Sequence, residues 1–326
     1  MPDLSTTYMG LHLKNPLIAG SSGLTATVQG LQDLEKSGVA AIVLKSIFEE
    51  EIAAEYREVT DAAARKGMSL ASYDYYDYQV RGDRVASYVQ LIRDAKAAVS
   101  LPVIASINCT WSHEWAAFAR DIEEAGADGI ELNMYFLPSD LKRSSEEREA
   151  EYFRIVEKVL AQVRIPVALK ISTSFSTLAQ MIDRLSRTGV AGLVLFNRFY
   201  AIDFDIEKLT VTGSHMLSTP EEIAVPLRWL ALMARRVGCD LAASTGVHDA
   251  VAMIKCLLAG ARAVQVASVL YRKGPGCAAV MLGELAAWMD SHGYRALADF
   301  RGRMSQAESE DPAVFERVQF MKHYGV

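Results

Sequence analysis

PVALKISTSFSTLAQMIDRLSRTGVAGLVLFN, residues 166–197, contains one complete structural period of this chain. An apolar run of strand length, PVALKIS (166–172), leads into a segment of helical period (176–188) and then into a second apolar run, GLVLFN (192–197). Strands that alternate with amphipathic helices form βα units and a parallel sheet. Working outward, the same period recurs at NPLIAG (15–20), AAIVLKS (40–46), PVIASIN (102–108), GIELNM (129–134), DLAASTG (240–246) and AVQVAS (263–268). Helical patterns separate them at 26–37, 84–99, 112–125, 145–163, 221–237 and 248–259. Eight strand–helix repeats predict the α/β class and a closed (β/α)8 TIM barrel.

No linker or shift in composition divides the 326 residues, so one domain is expected, ending in a helical C-terminal tail over about 291–326 that the charged SQAESEDP (305–312) interrupts. TTYMGLHLKN before the first strand alternates and turns at Gly10, which suits a small N-terminal hairpin closing the barrel floor. Long loops after strands 2 and 6 (47–83, holding SYDYYDY at 72–78, and 198–220, holding RFYAIDFD) fall on the carboxyl-end face, where barrel active sites are built. The tyrosine cluster also suits surface packing or a subunit contact, as in a homodimer.

With 34 Lys and Arg against 40 Asp and Glu, the net charge is −6, and no basic run provides a footprint for nucleic acid or an anionic membrane. The partner expected is therefore a small-molecule substrate. MPDLSTTYMG lacks the pattern of a signal peptide, and no apolar run reaches the roughly 18 residues of a spanning helix, so a cytoplasmic protein is expected. Cys109, Cys239, Cys256 and Cys277 form no CxxC pair and the six histidines no HExxH spacing, so neither a disulfide framework nor a metal site is indicated.

Buried barrel strands should be apolar throughout, which makes their polar residues informative. These fall at carboxyl ends: Lys45 and Ser46, Ser106 and Asn108, Asn133, Lys170 and Ser172, Asn197, Ser244 to Gly246, and Ser268. Alternation places Val43 with Lys45, Glu131 with Asn133, and Ala168 with Lys170 on common faces. Two inward ammonium groups require an anionic ligand or carboxylate neighbours, of which Glu131 is one. STGV (244–247) and VASVLYRKG (266–274) each run from a strand into a helix, and their small residues suit a phosphate bound by backbone N–H groups.

Taken together, NPLIAGSSG (15–23), VLKS (43–46), ASIN (105–108), ELN (131–133), PVALKIS (166–172), FN (196–197), STGV (244–247) and VQVAS (264–268) resemble, in order, the dihydroorotate dehydrogenase family over roughly residues 1–290. The resemblance implies FMN across the barrel mouth. Ser22, Gly23, Lys45 and Ser46 would line the flavin ring, Lys170 would sit at its pyrimidine edge, Asn108 and Asn133 would supply amides, and Gly246, Ala267 and Ser268 would bind the phosphate. Lys45, Lys170 and Asn133 would be catalytic, and Lys45, Asn133 and Asn197 would bind substrate.

The chain departs from the family where the base belongs. Family members follow ELN with a loop like LNxSCPN, whereas this chain has ELNMYFLPSD (131–140), which puts Phe136 in the register of the Cys or Ser base. Phenylalanine takes no proton. Ser139, Tyr135 and Cys109 are the nearby substitutes, with Ser139 assigned as catalytic. Arg198 also replaces the Ser or Thr that follows Asn197 in the family. Three readings follow: an FMN-dependent oxidoreductase acting on CH–CH bonds of a cyclic-amide or anionic substrate, dihydroorotate by default; a flavin-binding relative that takes another substrate or is inactive; and a Schiff-base lyase using Lys170 or Lys45.

Overall fold

The computed structural model describes residues 2–48, 73–108, 115–198, 201–214 and 216–316. Eight strands form the barrel: β1 (Leu17–Ala19), β2 (Ala41–Val43), β3 (Val103–Asn108), β4 (Gly129–Asn133), β5 (Val167–Ile171), β6 (Gly192–Leu195), β7 (Asp240–Ser244) and β8 (Ala263–Val266). Every neighbouring pair is parallel, and β8 returns to β1, closing the sheet into the predicted (β/α)8 TIM barrel. Closure leaves no unpaired edge.

The helices are α1 (Val28–Lys36), α2 (Tyr73–Ala98), α3 (Trp115–Glu124), α4 (Ser145–Leu160), α5 (Leu178–Ser186), α6 (Ala224–Met233), α7 (Ala250–Ala259), α8 (Ser268–Lys273) and α9 (Cys277–Ser291). α5 buries Leu178, Met181, Ile182 and Leu185, the i, i+3, i+4, i+7 stripe of a helix lying on a sheet. α4 starts at a reciprocal cap: Ser144 Oγ accepts from the Glu147 amide at 3.2 Å, and Glu147 Oε2 accepts from the Ser144 amide at 2.9 Å. Gly260, at φ +120°, ends α7 in a conformation that a side chain would strain.

Two differences from the sequence pattern stand out. α2 begins at Tyr73, well before the amphipathic stretch at 84, because the tyrosine-rich segment contains no proline and a formed helix extends at little cost. Between Ser291 and residue 316, the described part of the tail is built from single-turn 3-10 helices (Leu297–Asp299, Gln306–Glu308, Pro312–Phe315), not α-helix.

The core has an outer shell between sheet and helices and a smaller one inside the barrel. The expected hairpin (Thr6–Tyr8 with Leu11–Leu13) places Tyr8, Met9 and Leu13 inside, against Ile18, Val43, Ile104, Ala168, Val194, Ala242 and Ala263. Gly192 makes room for it, since a Cβ there would meet the Tyr8 ring at 3.0 Å. The barrel interior at this end is thus apolar and filled, and the polar inward residues Glu131, Lys170 and Gln265 lie above it. After β6, a ribbon of Ala201–Asp205 and Thr210–Ser214 pairs Phe204 with Val211 and exposes both. Among the described residues, no helix is long and apolar enough to cross a membrane.

Candidate active site at the carboxyl ends of the barrel strands

A cavity of about 290 Å³ opens at the carboxyl ends, lined by Gly20, Ser21 and Ser22 after β1, by Lys170, by Asn197, by Ser244–Gly246 after β7, and by Gln265–Ser268 at the end of β8. Lys170 is buried. Its Nζ donates to Gln265 Oε1 at 3.0 Å and lies 3.8 Å from Glu131 Oε1, while Gln265 Nε2 donates to Glu131 Oε2. The inward face of β4, β5 and β8 therefore carries a closed Glu131–Gln265–Lys170 network, and Glu131 is the carboxylate neighbour expected for an inward lysine.

A second network braces the first strands. Ser21 Oγ accepts from the Ser46 amide at 2.9 Å, Ser46 Oγ lies 2.7 Å from Ser106 Oγ, and the Tyr88 hydroxyl donates to Ser106 O at 2.9 Å while accepting from the Ser106 amide. Ser22 belongs to neither. Its backbone is held by Thr25, and its Oγ, buried, has no hydrogen-bond partner among the described residues; the same holds for Asn108 Oδ1. Buried polar atoms without partners carry a desolvation cost, so two of them at one barrel mouth fit a polar ligand.

At the other side of the cavity, Thr245 (φ +78°) and Gly246 (φ +79°) turn the chain after β7, with Thr245 Oγ1 donating to Phe196 O at 3.2 Å. Ala267 and Ser268 stand at the N-cap and first position of α8, where helix amides have no intrahelical acceptor. Ser268 Oγ accepts from the Ser218 amide at 2.9 Å, and Ser218 Oγ lies 3.0 Å from His248 Nε2. Burial, then the nearby Arg272 and Lys273, hold the His248 imidazole below its usual range. The turn at Thr245 and Gly246, the cations beside His248 and the unpartnered Ser22 and Asn108 atoms fit a polar, anionic group such as a flavin phosphate.

Of the residues singled out in the sequence, Ser22, Lys170, Asn197, Gly246, Ala267 and Ser268 line this cavity, and Ser46 is buried beside it through Ser21. Asn133 joins Asn197, whose Nδ2 donates to Asn133 Oδ1 at 2.7 Å. Gly23 sits where a Cβ would meet the Tyr271 hydroxyl at 2.7 Å. Lys45 follows β2 with its amide on Thr25 O and is not among the lining residues; Ser139 is exposed on the loop after β4 and is not brought to the cavity. Cys109 lies outside the described residues. Phe136 packs its ring edge-on against Tyr152, centroids 5.0 Å apart, and Tyr152 in turn meets Phe175. Burial pushes the Tyr135 phenol upward and the Tyr152 phenol up to about 12. Gln265, Ser21 and Ser218 were not singled out; the one legible signal was a lone amide inside the apolar AVQV.

A parallel eight-stranded barrel with a polar mouth and a plugged floor defines an α/β-barrel protein whose candidate site lies at the carboxyl ends of the strands. The chain belongs to the dihydroorotate dehydrogenase family of oxidoreductases: the family model described as "Dihydroorotate dehydrogenase" matches residues 3–289. Relatives include the dihydroorotate dehydrogenase B (NAD(+)) catalytic subunits of Thermoplasma volcanium, 26% identical over 308 residues (93% of this chain, 98% of that protein), and Thermoplasma acidophilum, 25% identical over 312 residues (93% and 99%). The dihydroorotate dehydrogenase A (fumarate) of Lactococcus lactis is 22% identical over 331 residues (92% and 99%).

Proposed function

We propose that this chain is an FMN-dependent oxidoreductase acting on a CH–CH bond of a small cyclic amide, with dihydroorotate as the default substrate. The observation that carries the reading is that Lys170, the unpartnered Ser22 Oγ and the Thr245–Gly246 turn line one cavity at the barrel mouth, with the unpartnered Asn108 Oδ1 at the carboxyl end of β3. FMN, when bound, supplies the hydride-accepting ring. Ser22, Gly23, Lys45, Ser46, Asn108, Asn133 and Lys170 would hold that ring, and the amides of Gly246, Ala267 and Ser268 the phosphate. Gln265 and Glu131 fix the Lys170 ammonium so that its positive end faces the cavity, where a ring gaining negative charge is stabilised.

The Asn133–Asn197 pair supports the cyclic-amide class. Their mutual bond uses Asn197 Nδ2 and Asn133 Oδ1, leaving an amide donor on Asn133 and a carbonyl acceptor on Asn197. A ring amide offers the complementary acceptor and donor side by side. The second reading, a different substrate or no turnover of dihydroorotate, is favoured by Phe136, which cannot serve as a base. For the lyase reading, which needs Lys170 or Lys45 as the amine, the engagement of Lys170 by Gln265 and Glu131 does not favour Lys170 in that role.

The deciding experiment is the visible spectrum of the purified protein before and after heat release of its chromophore. A yellow protein that releases FMN and is bleached by dihydroorotate under anaerobic conditions meets the proposal. A colourless protein that takes up no added FMN overturns it. A yellow protein that dihydroorotate fails to bleach leaves the second reading.

A further inference from the structure

At the opposite end of the barrel, a second cavity of about 370 Å³ lies between the start of β7, the end of α7 and the C-terminal tail. Its lining brings together Arg235, Arg262 and Arg301, with Asp240 as the only lining carboxylate among the described residues. Val237, Cys239 and Leu241 form an apolar side of the wall, and the small Ala234, Gly260, Ala298 and Gly302 leave open the space that the guanidinium groups surround. In a chain of net charge −6, three arginines converging on one cavity are not an average of the surface.

The hydrogen bonds of these arginines account for few of their donors. Arg262 Nε meets Asp240 Oδ1 at 3.1 Å, and the other Asp240 oxygen is taken by the Met9 amide at 3.0 Å, so this carboxylate has both oxygens engaged. Arg235 meets Glu308 Oε1 at 3.1 Å, a contact between two exposed side chains. Arg301 donates only to Thr6 Oγ1, at 3.3 Å, and among the described residues no carboxylate comes within ion-pair distance of it. A guanidinium carries five N–H donors, so most of those facing the cavity are left without a protein acceptor. Burial and the neighbouring Arg262 push the Arg301 guanidinium downward from its usual range, with Asp240 opposing. The cost of holding these like charges together falls when an anion enters.

We infer that this floor cavity is a binding site for a small phosphate-bearing anion, held by Arg235, Arg262 and Arg301. Guanidinium forks match phosphate oxygens in pairs, which makes arginine the side chain for this chemistry. The cavity exceeds what a lone phosphate fills, so a phosphate ester or a diphosphate fits it better. Its occupant would touch Arg301, which contacts the hairpin plug through Thr6, and Arg262, which is tied through Asp240 to Met9 of the same plug. Binding there therefore ties the tail to the barrel floor and leaves the mouth untouched.

The test is calorimetric titration of the purified full chain, its mouth first saturated with FMN so that the phosphate site there is filled, with inorganic phosphate and with pyrophosphate, at constant ionic strength and with chloride as control. Pyrophosphate is expected to bind saturably and more tightly than phosphate. Arg301→Gln should weaken it by about tenfold to a hundredfold, the loss of one charge-assisted group. Arg235→Gln, at a more exposed position, gives the same direction should Arg301→Gln fold poorly. Arg198→Gln, at a residue that lines the upper cavity and pairs with Glu222 at 2.7 Å, separates the two ends of the barrel and should leave pyrophosphate binding unchanged. Absence of saturable binding in the wild type, binding that persists in both floor variants, or binding abolished by Arg198→Gln overturns the inference.

Discussion

Lys170 Nζ and Glu131 Oε1 face each other across the barrel interior at 3.8 Å, with Gln265 bridging the pair, and Glu131 is almost wholly buried. Removing one member of such a pair strands the other. Lys170→Met is expected to destabilise the fold by about 3–5 kcal/mol, the cost of an uncompensated buried charge. Lys170→Met with Glu131→Gln should recover most of that loss. Flavin reduction should stay about 10² to 10³ slower in both, because the cation at the cavity is gone from each. Urea denaturation and stopped-flow reduction separate the two effects; a double variant that reduces normally removes Lys170 from the chemistry.

Gly246 and Ser268 lie on one side of the cavity and should respond differently to substitution. A Cβ on Gly246 would meet the Ile223 amide nitrogen at 2.1 Å and the Ile223 Cα at 2.6 Å, on a residue already at φ +79°. The glycine is thus required by the chain packed behind the loop, whereas the sequence suggested only close approach of a phosphate. Gly246→Val should therefore lose both the cofactor and stability. Ser268→Ala removes the acceptor of the Ser218 amide and should cost about 1–3 kcal/mol while keeping the main-chain donor and the flavin. Flavin absorbance per protein, measured beside thermal unfolding, tests both.

His248 titrates below its ordinary range because it is buried and faces Arg272 and Lys273. The folded state therefore binds its proton more weakly than the unfolded chain does. Its contribution is fully present above the unfolded value of about 6.5 and is lost as pH falls from there through the lower folded value. Wild type should lose melting temperature between pH 7.5 and 5.5 more steeply than His248→Gln. An NMR titration that places the His248 ring at or above the ordinary histidine value would contradict this.

The barrel was legible because its strands are buried on both faces: continuous apolar runs leave polar residues only where strands end, and Lys170, Asn197 and Gly246 do gather at one mouth. Gln265 was hidden because one amide in AVQV does not disturb an apolar run, yet it is the bridge of the interior network. Arg235, Arg262 and Arg301 come from separate loops and the tail, so only the closed barrel brings them together. Register identified Phe136 as the residue replacing the base but could not say where its ring points.

That direction decides the last prediction. The Phe136 ring packs at 90° to Tyr152 within an aromatic row that continues to Phe175, and residue 136 is not among those lining the cavity. Tyr135 cannot replace the base near neutral pH, since burial raises its phenol, and Ser139 lies exposed away from the mouth. Oxidation of dihydroorotate by the flavin-loaded protein is therefore expected to be slower by about 10² to 10⁴ than in a relative that carries the base. Phe136→Cys, which register alone would offer as a rescue, should not restore the rate: its thiol would point at Tyr152, and the lost ring should cost about 2 kcal/mol of stability. Anaerobic stopped-flow reduction of wild type and Phe136→Cys, with pH–rate profiles of Ser139→Ala and Tyr135→Phe, measures this directly. Rapid reduction of the wild type that disappears in Ser139→Ala would show that the loop after β4 closes over the substrate and brings Ser139 in as the base. Rapid reduction gained only in Phe136→Cys would show that the loop turns its 136 side chain inward when substrate binds.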